Sequence, residues 1–410
     1  MGFPMRHGRV GMGALLGAAL THLLGMPLGP GLGPGDAAAQ MPEIRGYYLH
    51  AAVAAESTPL TDGGFFDFQR LRLMASPQFG PLSLDLAYEH ALELRTAPIS
   101  LGRGFEGAEG AAPWLGLQGT LADGRRVHWR HGFDRLTVSL PVGDRARVSA
   151  GRQTVSWATT LFFTPADPFA PFDPADPFRE FRAGIDAARL QVFLGPFSQF
   201  DAVVRPAKTP AGTTLTALGR WSGLFRGVDV SGWAGALHDE AAGAVAMTLG
   251  VGDYALRGEV SIRRSDGETV IRAAGGADRY VTVLGRDLFL VLEYQRDGFG
   301  ARRPEELLAK AISAPFQRGE LQVLGRDALA ASASYQAHPL LQTDVRIIAN
   351  LRDGSLLLAP GLAYSAADEV SVRLGAFAGV GSGAQAFPPR LGSEYGALPL
   401  VGYVAASVYF

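Results

Sequence analysis

From Leu398 onward the residues alternate. Leu398, Leu400, Gly402, Val404, Ala406, Val408 and Phe410 fall on one face, and Tyr403, Ala405, Ser407 and Tyr409 on the other. Successive side chains of a strand point to opposite faces, so this is a strand with one greasy side. Alternation carried through to an aromatic final residue is the pattern of the closing strand of an outer-membrane barrel. A water-soluble fold would have to accommodate a bulky apolar end with no polar tail after it.

Residues 1–39 read as a secretory leader. Arg6 and Arg9 form a basic start, an apolar stretch runs from Val10 to about Leu28, and Ala37-Ala38-Ala39 supplies small residues for cleavage before Gln40. The rival reading, an uncleaved anchor, draws on the length of the apolar stretch. Gly-Pro breakers between Pro27 and Pro34 and the Ala-rich site favour removal, with the mature chain, residues 40–410, forming one domain.

The chain contains no cysteine, which excludes a disulfide scaffold and a Cys-ligated metal in an exported protein. The formal charge of -2 becomes one unit more negative without Arg6, Arg9 and Asp36, too small an imbalance for a nucleic-acid partner. Apolar residues make up 47% of the chain, yet after residue 39 no run nears the roughly 20 residues of a spanning helix. The remaining route across a bilayer is a closed barrel, because backbone groups in hydrocarbon must all be paired within the protein.

Alternation recurs through the mature region: Leu82, Leu84, Leu86 and Tyr88 against Ser83, Asp85, Ala87 and Glu89; Leu71 and Leu73 against Arg70 and Arg72; Leu136, Val138 and Leu140 against Arg135, Thr137 and Ser139; Leu256, Val260 and Ile262 against Arg257, Glu259 and Arg263. A soluble sandwich would give the same local pattern; connection lengths distinguish the two. Tight turns at 141–144, 195–198, 252–253, 285–287 and 366–368 alternate with longer connections at roughly 95–131, 157–183, 265–277, 297–326 and 380–397. Short turns at one end and long loops at the other are the outer-membrane arrangement. The expected fold is all-β, a single transmembrane antiparallel barrel of 16–18 strands, with a faint strand pair over about 199–251 and a short helix from Pro304 to Ser313. At that size side chains no longer fill the interior and an aqueous channel is expected.

The segment Gly151-Arg152-Gln153, followed by Trp157, a loop in which Pro165-Ala166-Asp167-Pro168-Phe169 returns as Pro174-Ala175-Asp176-Pro177-Phe178, and a strand opening with Gly184-Ile185-Asp186, resembles porin-like outer-membrane proteins of Gram-negative bacteria, a broad group that includes alginate-export-type porins. The resemblance covers about 40 residues; Thr164 stands where the pattern usually has Asn, and Ala158 where Gly commonly follows the Trp. It implies a channel for passive passage of small solutes, outer-membrane lipid as surroundings, and barrel-assembly machinery as a partner reading the last strand with Phe410.

The loop's own chemistry adds a second expectation. Five prolines from Pro165 to Pro177 stiffen it and five phenylalanines from Phe162 to Phe178 require burial. Folded into the barrel mouth, it would place Asp167, Asp173, Asp176, Arg179, Glu180 and Arg182 at a constriction, where charged rings set which solutes pass. The alternative is that these charges brace the wall and pair with each other. The expected lumen lining includes Arg70, Arg72, Asp85, Glu89, Arg135, Arg189, Arg257, Glu259, Arg263, Asp344 and Arg346, with Arg373, Glu93, Asp229, Asp287 and Glu293; the signs balance, so no polyanion cargo is indicated.

An outer-membrane barrel hydrolase and a non-conducting surface barrel are the competing classes. No Gly-x-Ser-x-Gly elbow stands between a strand and a helix, and no phosphate-cradling glycine loop is present. His90 falls on the lipid-facing parity. His128 and His131 are read as surface-loop residues, since no helix is signalled that would make their spacing a metal site. Neither a catalytic centre, a metal site nor a cofactor is expected.

Overall fold

Every strand of the wall pairs antiparallel with its neighbours in sequence, and the first pairs with the last. The computed structural model describes residues 43–96, 113–169, 178, 180–209 and 212–410, so the leader read over 1–39 lies outside the described residues. Eighteen strands form the ring. The first nine are Arg45–Ala55, Gly64–Ala75, Leu82–Arg95, Val127–Val142, Ala146–Gln153, Ile185–Gly195, Ser198–Thr209, Gly212–Phe225 and Val228–Leu237. Glu240–Val251, Tyr254–Ser265, Glu268–Val283, Arg286–Asp297, Asp327–His338, Leu341–Asn350, Ser355–Ala367, Val370–Val380 and Val401–Tyr409 complete it.

Closure runs from Tyr47 opposite Tyr409 to Ala55 opposite Val401. Beyond the last strand residue, Gly46 N–H donates to Phe410 O at 2.8 Å and Phe410 N–H to Gly46 O at 3.0 Å. Phe410 thus completes the ladder with its backbone while its ring lies on the exposed outer face.

The two faces of the wall invert the usual soluble pattern. Val260 is 45% exposed and Leu292 52%, while Glu259 and Glu293, their neighbours in sequence, are each 1% exposed. Large apolar side chains outside and buried carboxylates inside are what a barrel in lipid requires. The first strand departs from this: Tyr47, Leu49, Ala51 and Val53 point inward and are buried, and Tyr48 and His50 point out. Its inward groups share an apolar cluster with Phe162, Phe163 and Phe178 of the long loop, which supplies the apolar partner that water elsewhere in a lumen would not.

The expected tight turns all fall at one end of the ring, the periplasmic end by the short-turn rule. Several expectations change. The connection read as 265–277 is the two-residue turn Asp266-Gly267, both residues at positive φ (51° and 81°).

 The His238-Asp239 turn at the same end is left-handed at both residues too, with φ of 53° and 67°. Asp-Gly is the dipeptide that two-residue hairpins select, because both positions need the left-handed region. The connection read as 95–131 ends earlier, since Val127–Val142 begins inside it and Gln118–Asp123 pairs along the same strand. His128 and His131 therefore sit on a strand and not in a loop, because pairing with Leu82–Arg95 on one side and Gln118–Asp123 on the other extends the wall beyond the level of its neighbours. The region 199–251 holds four full strands, not a faint pair; its many Ala, Gly and Thr residues weaken the apolar contrast but not the ladder. The helix expected from Pro304 is a one-turn Pro304–Glu306 segment continued by Leu307–Ala311.

No helix among the described residues is long and apolar enough to cross a membrane. Val260 lies at the middle of its strand and faces out. Val260→Arg is expected to lower stability in vesicles by about 2–4 kcal/mol, read from urea unfolding, because a charge at mid-depth meets hydrocarbon.

Candidate functional site

The root of the long loop is built by the motif that carried the resemblance. Arg152, 1% exposed, donates through Nε and Nη2 to Asp186 at 2.8 and 3.0 Å, and to the carbonyls of Phe133 and Leu115 at 3.0 and 2.8 Å. Gln153 Nε2 donates to Ala187 O at 2.9 Å. Gly151 (φ +116°) precedes them, and a Cβ there would lie 2.2 Å from Leu136 O, so this strand end admits only glycine. The motif thus staples the two strands between which the loop leaves and returns.

Beyond Gln153 the chain turns to the inward faces of distant strands. The Glu259 carboxylate accepts the backbone N–H groups of Thr159, Thr160 (2.8 Å) and Ala166 (2.9 Å). Glu293 accepts those of Leu161 (2.6 Å), Phe162 (2.8 Å) and Phe163 (3.1 Å). Arginines take the carbonyls: Arg257 binds Thr159 O at 3.2 Å, Arg272 binds Pro165 O at 3.3 Å and Arg205 binds Phe169 O at 3.1 Å. Trp233 Nε1 donates to Ala166 O at 2.8 Å. Trp157 packs edge-on against Phe169, 4.8 Å between centroids, and its Nε1 donates to Asp201 Oδ2 at 3.2 Å. A proline-rich segment cannot satisfy its own backbone by secondary structure, so wall side chains do it instead.

The returning end is fixed elsewhere. Arg70 Nη1 donates to Phe178 O at 3.0 Å, Phe181 stacks on Tyr47 at 6.2 Å with the Arg72 guanidinium 4.6 Å above its ring, and Glu180 accepts from Arg373 (2.9 Å) and from the Tyr409 hydroxyl (2.5 Å). These partners belong to the first two and last two strands of the ring, whereas Glu259, Arg272 and Glu293 belong to its eleventh, twelfth and thirteenth strands.

Of the six loop charges expected at a constriction, Asp167, Glu180 and Arg182 are described, and Asp173, Asp176 and Arg179 lie outside the described residues. Asp167 and Arg182 are brought together at 3.0 Å, with Ser156 Oγ donating to Asp167 at 2.9 Å; Glu180 stands apart from them against the closing strands. Burial pushes the Asp167 carboxyl above its ordinary range, and Arg182 and Ser156 offset only part of that.

Of the expected lining residues, Glu259, Glu293 and Arg70 bind the loop, and most others form wall pairs. Arg72 binds Glu89 and Asp134 (2.7 Å), Arg135 lies 3.7 Å from Asp85, Arg189 binds Asp201 at 2.5 Å, Arg257 binds Asp278 at 2.6 Å, Arg263 binds Glu240 and Glu320 at 2.6 and 2.7 Å, and Arg346 lies 3.4 Å from Asp344. Sequence reasoning quoted Asp186 only as part of the motif, passed over Asp201, Arg205 and Arg272, and placed Glu259 and Glu293 in the lumen without their loop. Their inward parity was the available signal; which carboxylate would meet the loop depended on strand positions far apart in sequence.

Among the outer loops, Glu394 accepts Leu324 N–H (2.7 Å), Gly325 N–H (3.1 Å) and Asn350 Nδ2 (2.9 Å), while its own N–H donates to Asp353 at 2.7 Å. It therefore ties together the connections around 298–326, 351–354 and 381–400. Burial, with the Asp353 charge added, pushes Glu394 up to about 7 despite those bonds.

The chain thus forms an eighteen-strand closed antiparallel barrel with an apolar exterior and a charged interior. Solved structures share it. A BenF-like porin from Pseudomonas fluorescens matches with TM-score 0.56 at 10% identity over 90% of this chain and 99% of that one. OpdK of Pseudomonas aeruginosa, solved with vanillate, matches with TM-score 0.53 at 12% identity over 90% and 98%. OccAB1 of Acinetobacter baumannii matches with TM-score 0.56 at 9% identity over 91% and 97%. At such identities the likeness is one of fold. No protein-family model and no curated protein sequence matches the chain.

Two outcomes follow from this geometry. Asp186→Ala leaves Arg152 buried without its carboxylate and should cost about 3–5 kcal/mol, measured by denaturant unfolding in detergent or vesicles. Glu394 has a folded-state pKa above its ordinary 4.5, so its stabilisation is full below about pH 4.5 and is lost as pH rises to about 7. A spin label at Arg302→Cys, in this cysteine-free chain, should become more mobile between about pH 5 and 8, and Glu394→Gln should remove the change.

Proposed function

We propose that this barrel is an outer-membrane channel for passive passage of small solutes, narrowed by the Pro/Phe/Asp-rich loop, and that it is exported with residues 1–39 removed. One observation carries the reading: six loop backbone N–H groups are taken by Glu259 and Glu293 on the eleventh and thirteenth strands, while Phe178, Glu180 and Phe181 attach to the first two and the last strands. A segment held at both places would narrow the lumen and leave a restricted path beside it. Asp167, Glu180 and Arg182, with Asp173, Asp176 and Arg179 between or beside them in sequence, are the loop charges that would meet passing solutes. OpdK with vanillate and OccK2 with glucuronate are barrels of this fold holding small carboxylates, which makes such acids, alongside neutral sugars, the first solutes to try.

Assembly follows the same reading. The last strand, with its apolar outer row and Phe410, is the segment offered to barrel-assembly machinery, and outer-membrane lipid surrounds the finished wall. Passage requires no catalytic group, cofactor or metal.

Deletion of 164–178, and separately the pair Glu259→Gln with Glu293→Gln, should raise single-channel conductance in planar bilayers and weaken charge selectivity. Each lost charge-assisted bond is worth about 1.5–3 kcal/mol, so the double replacement frees the loop without shortening it. Conductance and selectivity equal to wild type in both variants would end the constriction reading, and an N-terminus other than Gln40 on the purified barrel would end the leader reading.

A further inference from the structure

The outer wall carries a feature that neither closure nor the lumen uses. Cross-strand register sets Ala277, Leu292, Ala331 and Ile347 in one outward row, and Arg279, Leu290, Ala333 and Val345 in the row two residues nearer the short turns. The three alanines lie between larger side chains and leave a depression of about 620 Å³, within the roughly 300–1,000 Å³ of ligand sites. Its walls are Leu290, Leu292, Val345 and Ile347, so it is apolar along its length.

Arg279 stands at the short-turn end. Its Nη1 donates to the Tyr254 hydroxyl at 2.7 Å, its guanidinium lies 4.7 Å from that ring, and its Nε is buried with no hydrogen-bond acceptor. No carboxylate forms an ion pair with it among the described residues, whereas Arg189, Arg257, Arg263 and Arg272 on the inner face each have one. An arginine on the lipid side of a barrel is costly at mid-depth and tolerated at the interface. Tyr254 directly follows the turn Gly252-Asp253 and Arg279 precedes the turn at Leu284-Gly285 by four residues, which puts the pair at head-group level. A guanidinium held by an aromatic ring, with donors still to fill, matches a phosphate diester in charge and geometry.

We infer that this depression is a phospholipid site: the phosphate of a periplasmic-leaflet glycerophospholipid sits on Arg279 beside Tyr254, and one acyl chain lies in the trough over Ala277, Ala331 and Ala333. The order of groups from the short turns toward mid-membrane, cation and tyrosine first and alanine trough after, is the order of head group and tail in that leaflet. The site is independent of solute passage and rests only on the outer face meeting lipid.

Native mass spectrometry of the detergent-purified full barrel, delipidated and then titrated with phosphatidylglycerol, phosphatidylethanolamine or diacylglycerol, tests it. Wild type should bind one phospholipid in preference to diacylglycerol, and Arg279→Gln should weaken that binding at least tenfold, with Arg279→Lys between the two. Ala331→Leu with Ala333→Leu fills the trough without touching the charge and should also weaken it, which keeps the test open if Arg279→Gln folds poorly. Arg264→Gln, an outward arginine at the opposite end of the neighbouring strand, should change nothing. Equal phospholipid binding by wild type and Arg279→Gln, equal binding of diacylglycerol, or preferential retention of lipopolysaccharide would each overturn the site. Conductance unchanged in Arg279→Gln separates its failure from that of the channel.

Discussion

Hydrocarbon offers no hydrogen bonds, so each backbone N–H and C=O at membrane depth must find its partner inside the protein. The ring of strands meets that requirement only because Arg45–Ala55 closes on Val401–Tyr409, and the last contact is made by the backbone of Phe410 with Gly46. Everything else is arranged around that closure. Apolar residues line the outside because lipid is there, and the inner face carries the paired arginines and carboxylates, with the outward charges such as Arg279 and Arg264 kept toward the strand ends. The same rule governs the loop: its prolines prevent it from satisfying its own backbone, and Glu259 and Glu293 on the inner wall accept six of its N–H groups.

Buried carboxylates in the lumen therefore have two uses. Asp201, Asp278 and Asp297 pair with arginines on adjacent strands and neutralise the wall. Glu259 and Glu293 spend their acceptors on the loop. An interior that balances charge strand by strand explains why a near-neutral chain can hold so many buried arginines.

The first strand shows where local pattern and environment part. Tyr47, Leu49, Ala51 and Val53 alternate as any strand does, and the sequence does not say which side of the wall they face. They face inward because Phe162, Phe163, Phe178 and Phe181 meet them there, and Tyr48 and His50 are left outside with Gln69 and Asp67 as hydrogen-bond partners.

Period-two alternation, the absence of long apolar runs and the uneven connection lengths were enough to establish a membrane barrel of about the right size, because those features follow from backbone geometry and the bilayer, both local in their demands. The Gly151-Arg152-Gln153 and Gly184-Ile185-Asp186 segments were also legible as a unit, since they lie on adjacent strands. Asp266-Gly267 was legible in principle as a two-residue turn and was read as part of a longer connection. The partners of the loop were not legible: Thr160 meets Glu259 and Phe162 meets Glu293 across about a hundred residues or more of intervening chain. Likewise, Arg279 is one charge among many in the sequence, and only the register of four strands places it on the outer face above three alanines. Such contacts depend on how the ring closes, and closure is a property of the whole wall that no segment carries by itself.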